Sequence, residues 1–296
     1  MDINAAYRYF INDRKVYCSK ATIDYYNYYL NRFLKWYSDS GSPALDRYML
    51  KNYILFLRES DMKNVSIKTC YRAVKAFFRF LYEEEILDHD ITKGVKLPKN
   101  DAALIQPLLT FEVDTIDKCI MSLSDELALR NYCIFHLMLD CGLRRQEVIH
   151  LQRSDIKFDR LIIRQSKGNK DRITLLPKFL YLSLNNYYNH VHYHFPGSYS
   201  GSEVFLNANK NDVLTYDCIK MMFQKLKSAT GITRLHAHLC RHTFATSYLQ
   251  YGGDMEKLRL LMGHSDYNVL RNYLHLSIVY SDIYRIDDIF FRTPDT

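Results

Sequence analysis

A segment with two prolines and little periodicity interrupts this chain of 296 residues between positions 95 and 107. Proline disfavours helix and biases the residue before it towards extended backbone, so the segment should be an extended linker. A chain of this length is long enough for two domains. The sequence therefore predicts a first domain of residues 1–95, a linker of residues 96–107 and a second domain of residues 108–296.

Apolar residues recur at helical spacing through the first region, which predicts a helical domain. Two of the apolar sets are Ile23, Tyr26, Leu30, Phe33, Leu34 and Tyr37, and Leu45, Tyr48, Met49, Tyr53, Phe56 and Leu57. A third stretch begins at Ser66, a residue type that favours the N-cap position, and runs through Leu81.

The third predicted helix carries four cations on one face, spaced i, i+4, i+7 and i+11: Lys68, Arg72, Lys75 and Arg79. Most such stripes are solvated surfaces. Here no Asp or Glu interrupts the predicted helix, so no acidic side chain at i±4 neutralises the stripe. A helix that lies along DNA phosphates needs this arrangement, and we therefore expect these four side chains to bind DNA.

The second region is also predicted to be mainly helical. Its periodicity indicates helices over residues 128–141, 178–190, 215–229, 239–250 and 254–262. Gly142 follows the first of these and suits a left-handed C-cap. Two short apolar runs, Leu161–Arg164 and Ile173–Leu176, flank a turn containing Gly168–Asn169, which predicts a β-hairpin. The predicted fold class is mainly α with a small antiparallel sheet.

Composition constrains the function only weakly. Lys and Arg total 40 against 33 for Asp and Glu, and the formal net charge of +7 fits a polyanionic partner. The seven cysteines are scattered without a CxxC pair, which favours reduced thiols. The chain shows neither a basic-then-apolar leader nor an apolar run long enough to span a bilayer. We therefore expect a cytoplasmic, nucleoid-associated protein with no membrane partner.

Four short segments of the second region carry side chains that suit phosphoryl chemistry. They are Cys141–Glu147, Ser166–Lys170, His238–His242, and Leu261–His264 followed nine positions later by Tyr273. Attack on a DNA phosphodiester builds negative charge on the phosphate oxygens. Two guanidiniums, Arg144 and Arg241, could stabilise this charge because each presents a planar cationic fork. His238 precedes Arg241 by three residues and therefore shares its helix edge.

Together these segments resemble the tyrosine recombinase (phage integrase) family, whose hallmark is Arg, Lys, His-x-x-Arg, His or Trp, then Tyr. The family's GLR-x-x-E matches Gly142–Glu147, and its H-x-L-R-H-T-F-A-T matches His238–Thr246 except at Cys240. Its L-L-G-H-S matches Leu261–Ser265 with Met262 in place of Leu. An F-x-x-F-L-Y-E match at Phe77–Glu83 extends the resemblance over nearly the whole chain.

The resemblance implies a catalytic set that needs no metal and no cofactor: Arg144, Lys167, His238, Arg241, His264 and Tyr273. In it, Tyr273 would form a 3′-phosphotyrosine and His238 would assist the transfer of its proton. Lys167 would be the general acid for the leaving 5′ oxygen, and His264 would donate a hydrogen bond to the phosphate. Two further side chains, Glu147 and His242, would have supporting structural roles.

The resemblance also implies a C-shaped clamp, in which a helical core-binding domain and a catalytic domain grip a double-stranded recombination site. Val279, Ile283, Ile286 and Phe290 then follow Tyr273 at helical spacing. This predicts a C-terminal helix, which could either pack on its own domain or be donated to a neighbouring subunit. Donation would build a homotetramer on two DNA duplexes. Accessory proteins remain open.

Several alternatives stay open on the sequence. Lys170 competes with Lys167, and three other tyrosines compete with Tyr273: Tyr267, Tyr280 and Tyr284. Val269, Leu270 and Leu274 depart from threonines that are common in the family. The rival functions are a type IB topoisomerase, a DNA-binding protein without activity, and a metallohydrolase with zinc at the cluster of His236, His238, Cys240 and His242.

Overall fold

The structure, a computed structural model, describes residues 2–99, 105–166, 170–194, 201–207, 209, 212–263 and 267–290. It divides into two compact units, Met1–Ala103 and Leu104–Thr296, so the division falls inside the segment predicted as a linker. The described ends of that segment are anchored. Asn64 donates a hydrogen bond to the Lys99 carbonyl in the first unit, and Arg234 donates to the Gln106 carbonyl in the second.

The N-terminal unit consists of four helices: α1 (Ile3–Tyr17), α2 (Lys20–Asp39), α3 (Arg47–Glu59) and α4 (Asn64–Glu83). Side chains of Asp2, Ser19 and Asp46 cap the first three by accepting hydrogen bonds from backbone N–H groups of the first turn. The apolar faces bury an aromatic core that includes Phe10, Phe33, Tyr53, Phe77 and Phe78. The prediction of a helical first domain is confirmed.

The bounds predicted for α4 are wrong at its start. The helix begins at Asn64, with Lys63 as an N-cap that forms no side-chain hydrogen bond, and Ser66 lies within its first turn. The amides of Ser66 and Ile67 both donate to the Lys63 carbonyl, so backbone hydrogen bonds alone start the helix. Ser66 therefore has no capping role. The helix also continues to Glu83, which places one acidic residue on it.

The second unit is mainly helical, with a single hairpin in its described part. Its elements are α5 (Thr110–Met121), α6 (Asp125–Leu139), α7 (Arg145–Ile149), β1 (Arg160–Ser166), β2 (Lys170–Leu175), α8 (Lys178–His194), α9 (Tyr216–Thr230), α10 (Ala237–Gln250), α11 (Met255–Met262) and α12 (Tyr267–Val279). Strands β1 and β2 pair antiparallel, with Ile162 opposite Ile173. The predicted fold class, mainly α with a small antiparallel sheet, is confirmed.

The core of this unit forms around α6 and α10. Helix α6 buries Cys133, Ile134 and Phe135 completely, and α10 buries Leu239 and Phe244. The polar side chains on the buried part of α10 are Arg241, Thr243, Thr246 and Ser247, and the surrounding protein restricts their positions. Helix α11 ends at Gly263, whose left-handed φ of 59° confirms the prediction that glycine ends this helix.

The predicted C-terminal helix is absent from the described residues 280–290. Helix α12 ends at Val279, and the chain then forms an isolated antiparallel bridge between Ile283 and Leu109 before a short 3-10 turn at Asp288–Phe290. The amide of Ile286 donates to the Ser247 hydroxyl instead of to a helical carbonyl. Ile283, Ile286 and Phe290 are buried in their own unit, so their spacing reflects this packing.

No helix in the described part of the chain has the length and hydropathy needed to cross a membrane. All seven cysteines lie in described positions as free thiols.

Candidate active site

Arg241 lies at the centre of the site, on the buried helix α10, with only 1% of its surface exposed. Its two terminal nitrogens donate to the carbonyls of Gly142 and Met262. Its buried Nε has no hydrogen-bond partner among the described residues. Burial, together with the positive charges of Arg144 and Arg172, lowers the pKa of Arg241 to about 9, which still leaves it cationic at neutral pH.

Arg144 approaches the same place from the loop after α6. It is the N-cap of α7, and its amide donates to Glu147 Oε2 at 2.7 Å. Its guanidinium donates to Glu147 Oε1 at 2.9 Å and to the Gly263 carbonyl at 3.1 Å. Arg144 and Arg241 therefore donate to successive carbonyls, those of Gly263 and Met262. The two arginines lie 97 positions apart in the sequence.

Sequence reasoning missed a third arginine, Arg172 on β2. Its terminal nitrogens donate to the two oxygens of Glu147 at 2.6 and 2.8 Å, and its Nε donates to the Leu261 carbonyl at 2.8 Å. The side chains of both partners are 7% exposed. Burial alone would raise the pKa of Glu147, but the bonds and charge of Arg172, with the Arg144 amide, lower it to about 2. Glu147 is therefore ionised and is bound by both Arg144 and Arg172.

The backbone at Gly142 explains why glycine is needed between α6 and Arg144. Its φ of 64° is left-handed, and a Cβ there would lie 2.6 Å from Cδ1 of Phe244. Helix α6 ends at Leu139, earlier than the predicted residue 141, and the glycine turns the chain so that its carbonyl accepts from Arg241.

One histidine of α10, His242, lies beside the candidate nucleophile and contacts a second histidine, His238. The ring centroid of His242 is 4.3 Å from that of His238 and 5.2 Å from that of Tyr273. Partial burial and the positive charges of Arg241, His236 and Arg144 lower the pKa of His238, which keeps its imidazole neutral at pH 7. A neutral imidazole can accept a proton. His242 is half-buried and links the two rings.

Tyr273 itself is 2% exposed and packs among Phe244, Leu270 and Ile286. Burial raises the pKa of its phenol, while Arg241 and Arg144 act in the opposite direction. Tyr284, which competes with Tyr273 on the sequence, lies near negative charge instead. Burial and the carboxylate of Asp140 both raise its pKa. Only Tyr273 of the two therefore lies where positive charge would stabilise a phenolate.

Two protein-family models match this chain. The family model of the phage integrase N-terminal SAM-like domain matches residues 6–85. That of the Phage integrase family matches residues 110–278, which is more than half of the chain. The chain belongs to the phage integrase family.

Curated relatives of this integrase extend over almost its full length. It is 25% identical over 284 residues to the tyrosine recombinase XerC of Pediococcus pentosaceus, which covers 94% of each chain. It is 31% identical over 258 residues to the tyrosine recombinase XerA of Pyrococcus horikoshii, covering 86% of this chain and 83% of that protein. The integrase is a tyrosine-type site-specific DNA recombinase.

Solved structures support the fold. The XerH recombinase, in a post-cleavage complex with its palindromic difH substrate, superposes with a TM-score of 0.73. The match covers 87% of the integrase and 77% of XerH at 20% sequence identity. At this identity the likeness shows a shared fold.

Two residues predicted for the integrase site, Lys167 and His264, lie outside the described residues. Their neighbours are described: β1 ends at Ser166, β2 begins at Lys170, and Gly263 precedes His264. The side chain of Lys170, the alternative to Lys167, is likewise not among the described ones. The hairpin that was predicted to carry Lys167 is confirmed.

The predicted cationic stripe lies on α4, where Arg72, Lys75 and Arg79 are exposed and Lys68 is half-buried. One premise was wrong. Because α4 continues to Glu83, this carboxylate lies at i+4 from Arg79 and pairs with it at 3.5 Å. Both side chains are more than half exposed, so the pair is worth little, and the stripe remains cationic.

The histidine cluster considered for zinc does not assemble as a ligand set. Cys240 is buried on the far side of α10, where its Sγ contacts the His236 carbonyl. Across the described ranges, no group of three or more His, Cys, Asp or Glu could hold a metal ion.

Proposed function

We propose that this recombinase cuts DNA with Tyr273 and stabilises the attacked phosphate with Arg144 and Arg241. One observation carries the proposal. Arg241 and Arg144 donate to the adjacent carbonyls of Met262 and Gly263, and Gly263 directly precedes His264. The positive charges of both arginines also oppose the rise that burial causes in the pKa of the Tyr273 phenol. A phosphodiester is an anion, and two guanidinium forks are suited to bind its oxygens.

In the proposed reaction, Tyr273 Oη attacks the scissile phosphorus as its proton passes to the neutral imidazole of His238. The bond from phosphorus to the 5′ oxygen breaks, and that oxygen takes a proton from Lys167. The product is a 3′-phosphotyrosine and a free 5′ hydroxyl. A 5′ hydroxyl from a partner strand reverses the step. Two successive rounds of strand exchange pass through a Holliday junction. In each round, His264 donates a further hydrogen bond to the phosphate.

The burial of Tyr273 adds a requirement to this reaction. A phenol that is 2% exposed and belongs to the same buried cluster as Phe244 and Ile286 does not reach a phosphate from solution. We infer that α12 shifts when DNA binds, which would expose the phenol. The buried cluster that contains Tyr273 also includes Ile286 and Phe290 of the C-terminal segment, so release of that segment would assist the shift.

In this proposal, both units bind the DNA duplex. The stripe of Lys68, Arg72, Lys75 and Arg79 would contact phosphates from the N-terminal unit, and the clamp arrangement of the two domains stays a prediction. The structurally similar XerH recombinase is bound to its palindromic difH substrate. A homotetramer on two synapsed duplexes, accessory proteins and a cytoplasmic, nucleoid-associated location complete the proposal.

A nicked suicide substrate tests the nucleophile. The nick releases a short strand after cleavage, so the covalent adduct accumulates and migrates slowly on a denaturing gel. Tyr273→Phe should bind the same DNA and form no adduct, whereas Tyr280→Phe, a matched change just beyond α12, should form it at the normal rate. An adduct that survives Tyr273→Phe would refute the proposal.

Strand exchange that requires a second duplex distinguishes recombination from topoisomerase activity.

A further inference from the structure

The C-terminal end of α11 is held by three arginines from three different elements. Arg172 on β2 donates to the Leu261 carbonyl, Arg241 on α10 to that of Met262, and Arg144 before α7 to that of Gly263. Three consecutive carbonyls thus each accept from a different guanidinium. The negative end of the helix dipole lies here and favours the cations. Two of the three arginines belong to the proposed catalytic set, and Arg172 does not.

Glu147 connects this cluster. Its two oxygens accept from Arg172 at 2.6 and 2.8 Å, and Oε1 also accepts from the Arg144 guanidinium at 2.9 Å. The carboxylate is buried, so its charge is poorly screened by solvent. A carboxylate in this position competes with a phosphate for Arg144. Arg172 shares this carboxylate with Arg144. Without Arg172, the charge of Glu147 would be balanced by Arg144 alone, and less of the Arg144 charge would remain for a phosphate.

The net charge of the cluster depends on Arg172. Arg144, Arg172, Arg241 and Glu147 together carry three positive charges and one negative charge, a net +2. Attack by a phenolate on a phosphodiester anion gives a pentacoordinate phosphorane with two negative charges. Removal of Arg172 would leave the cluster at +1. Stabilisation of the developing charge by fixed cations is usually the largest single contribution to such a reaction.

We propose that Arg172 is a positioning residue of the recombinase: it binds both oxygens of Glu147 and balances that negative charge, so that the positive charges of Arg144 and Arg241 stabilise the doubly negative phosphorane. Arg172 acts through Glu147 and the end of α11, and it need not touch the DNA. The role rests on the proposed function, since it presupposes that Arg144 and Arg241 bind the scissile phosphate.

The test compares cleavage rates at saturating suicide substrate for the full chain and three variants. Arg172→Gln removes the charge and keeps a hydrogen-bond donor, and we expect adduct formation to slow by about 100-fold with DNA affinity unchanged. Arg172→Lys keeps the charge without the fork, and should slow it by about 10-fold or less. The double variant Arg172→Gln/Glu147→Gln restores the net +2 and should be at least about 10-fold faster than Arg172→Gln alone.

A purely structural Arg172 makes the opposite prediction. Removing a second member of a buried network would then leave the double variant no faster than the single one, and that result would overturn the proposal. If Arg172→Gln does not fold, Arg172→Lys decides: a decrease as large as about 100-fold would show that charge at this position is not what matters. The adduct must disappear when Tyr273→Phe is added to each background. An adduct that persists there would contradict the proposed nucleophile instead.

Discussion

The two units of this recombinase carry their functional cations in opposite ways. On α4 of the N-terminal unit, Arg72, Lys75 and Arg79 are exposed, and Arg79 forms a solvated ion pair with Glu83. In the catalytic unit, Arg241 and Arg172 are buried and bonded to fixed carbonyl and carboxylate oxygens. Exposed cations supply affinity that depends on salt, whereas buried cations supply geometry. The roles proposed for the same residue type therefore differ between the two units.

The largest effect should come from the buried cations. Arg241→Ala removes both the fork and the donors to the Gly142 and Met262 carbonyls. We expect the cleavage rate at saturating DNA to fall by about 1,000-fold, while DNA affinity changes little. The free energy of unfolding should also fall, by about 2–4 kcal/mol, because buried carbonyls would be left without donors. Suicide-substrate kinetics and urea unfolding measure the two effects. A variant with normal cleavage but weak binding would contradict this division of roles.

A pH titration of stability examines the buried ion pair. The pKa of Glu147 is lowered from 4.5 to about 2 in the folded state. A depressed carboxyl contributes stability that is fully present above its unfolded pKa and is lost as the pH falls through the folded pKa. The wild type should therefore lose about 3 kcal/mol of this contribution between pH 4.5 and 2. Glu147→Gln should flatten this acid limb, and Asp114→Asn, at an exposed position of α5, should leave it unchanged.

The smallest effect should come from the exposed stripe. Arg72→Ala/Lys75→Ala should weaken DNA binding and reduce the magnitude of the slope of log K against log salt by about 0.9 for each phosphate that is no longer neutralised. Cleavage at saturating DNA should keep its normal rate. Lys51→Ala/Arg58→Ala removes the same charge from exposed positions of α3 and serves as the matched control. Equal salt slopes in the two double variants would show that α4 is not the DNA-binding face.

Much of the fold could be predicted because the signals are local. Helical spacing predicted α2, α3, α4, α6, α8, α9, α10 and α11, and the turn residues predicted the hairpin. Gly263 ends α11 where it was expected. The errors arose where a local pattern had a non-local cause. Ile283 and Ile286 have helical spacing, but backbone pairing with Leu109 and the Ser247 hydroxyl determines their positions.

In the candidate site, too, residues within short motifs could be predicted, whereas a residue with distant partners could not. Arg144 and Arg241 were predicted from short motifs, and the structure brings them together. Arg172 was missed because it lies at an ordinary alternating position of a strand, and its partners are Glu147 and Leu261, 25 and 89 positions away. No local period encodes such a contact. A cation on the buried face of a strand was the one available signal, since an unpaired charge is costly to bury.

Identification of the residue that carries the DNA is the most direct test of the proposed nucleophile. The adduct trapped with a nicked substrate would be digested with nuclease and protease, and the modified peptide sequenced by tandem mass spectrometry. We expect a nucleotide linked through its 3′ phosphate to the Tyr273 oxygen. A nucleotide on Tyr267, Tyr280 or Tyr284, or one linked through a 5′ phosphate, would contradict the proposed chemistry.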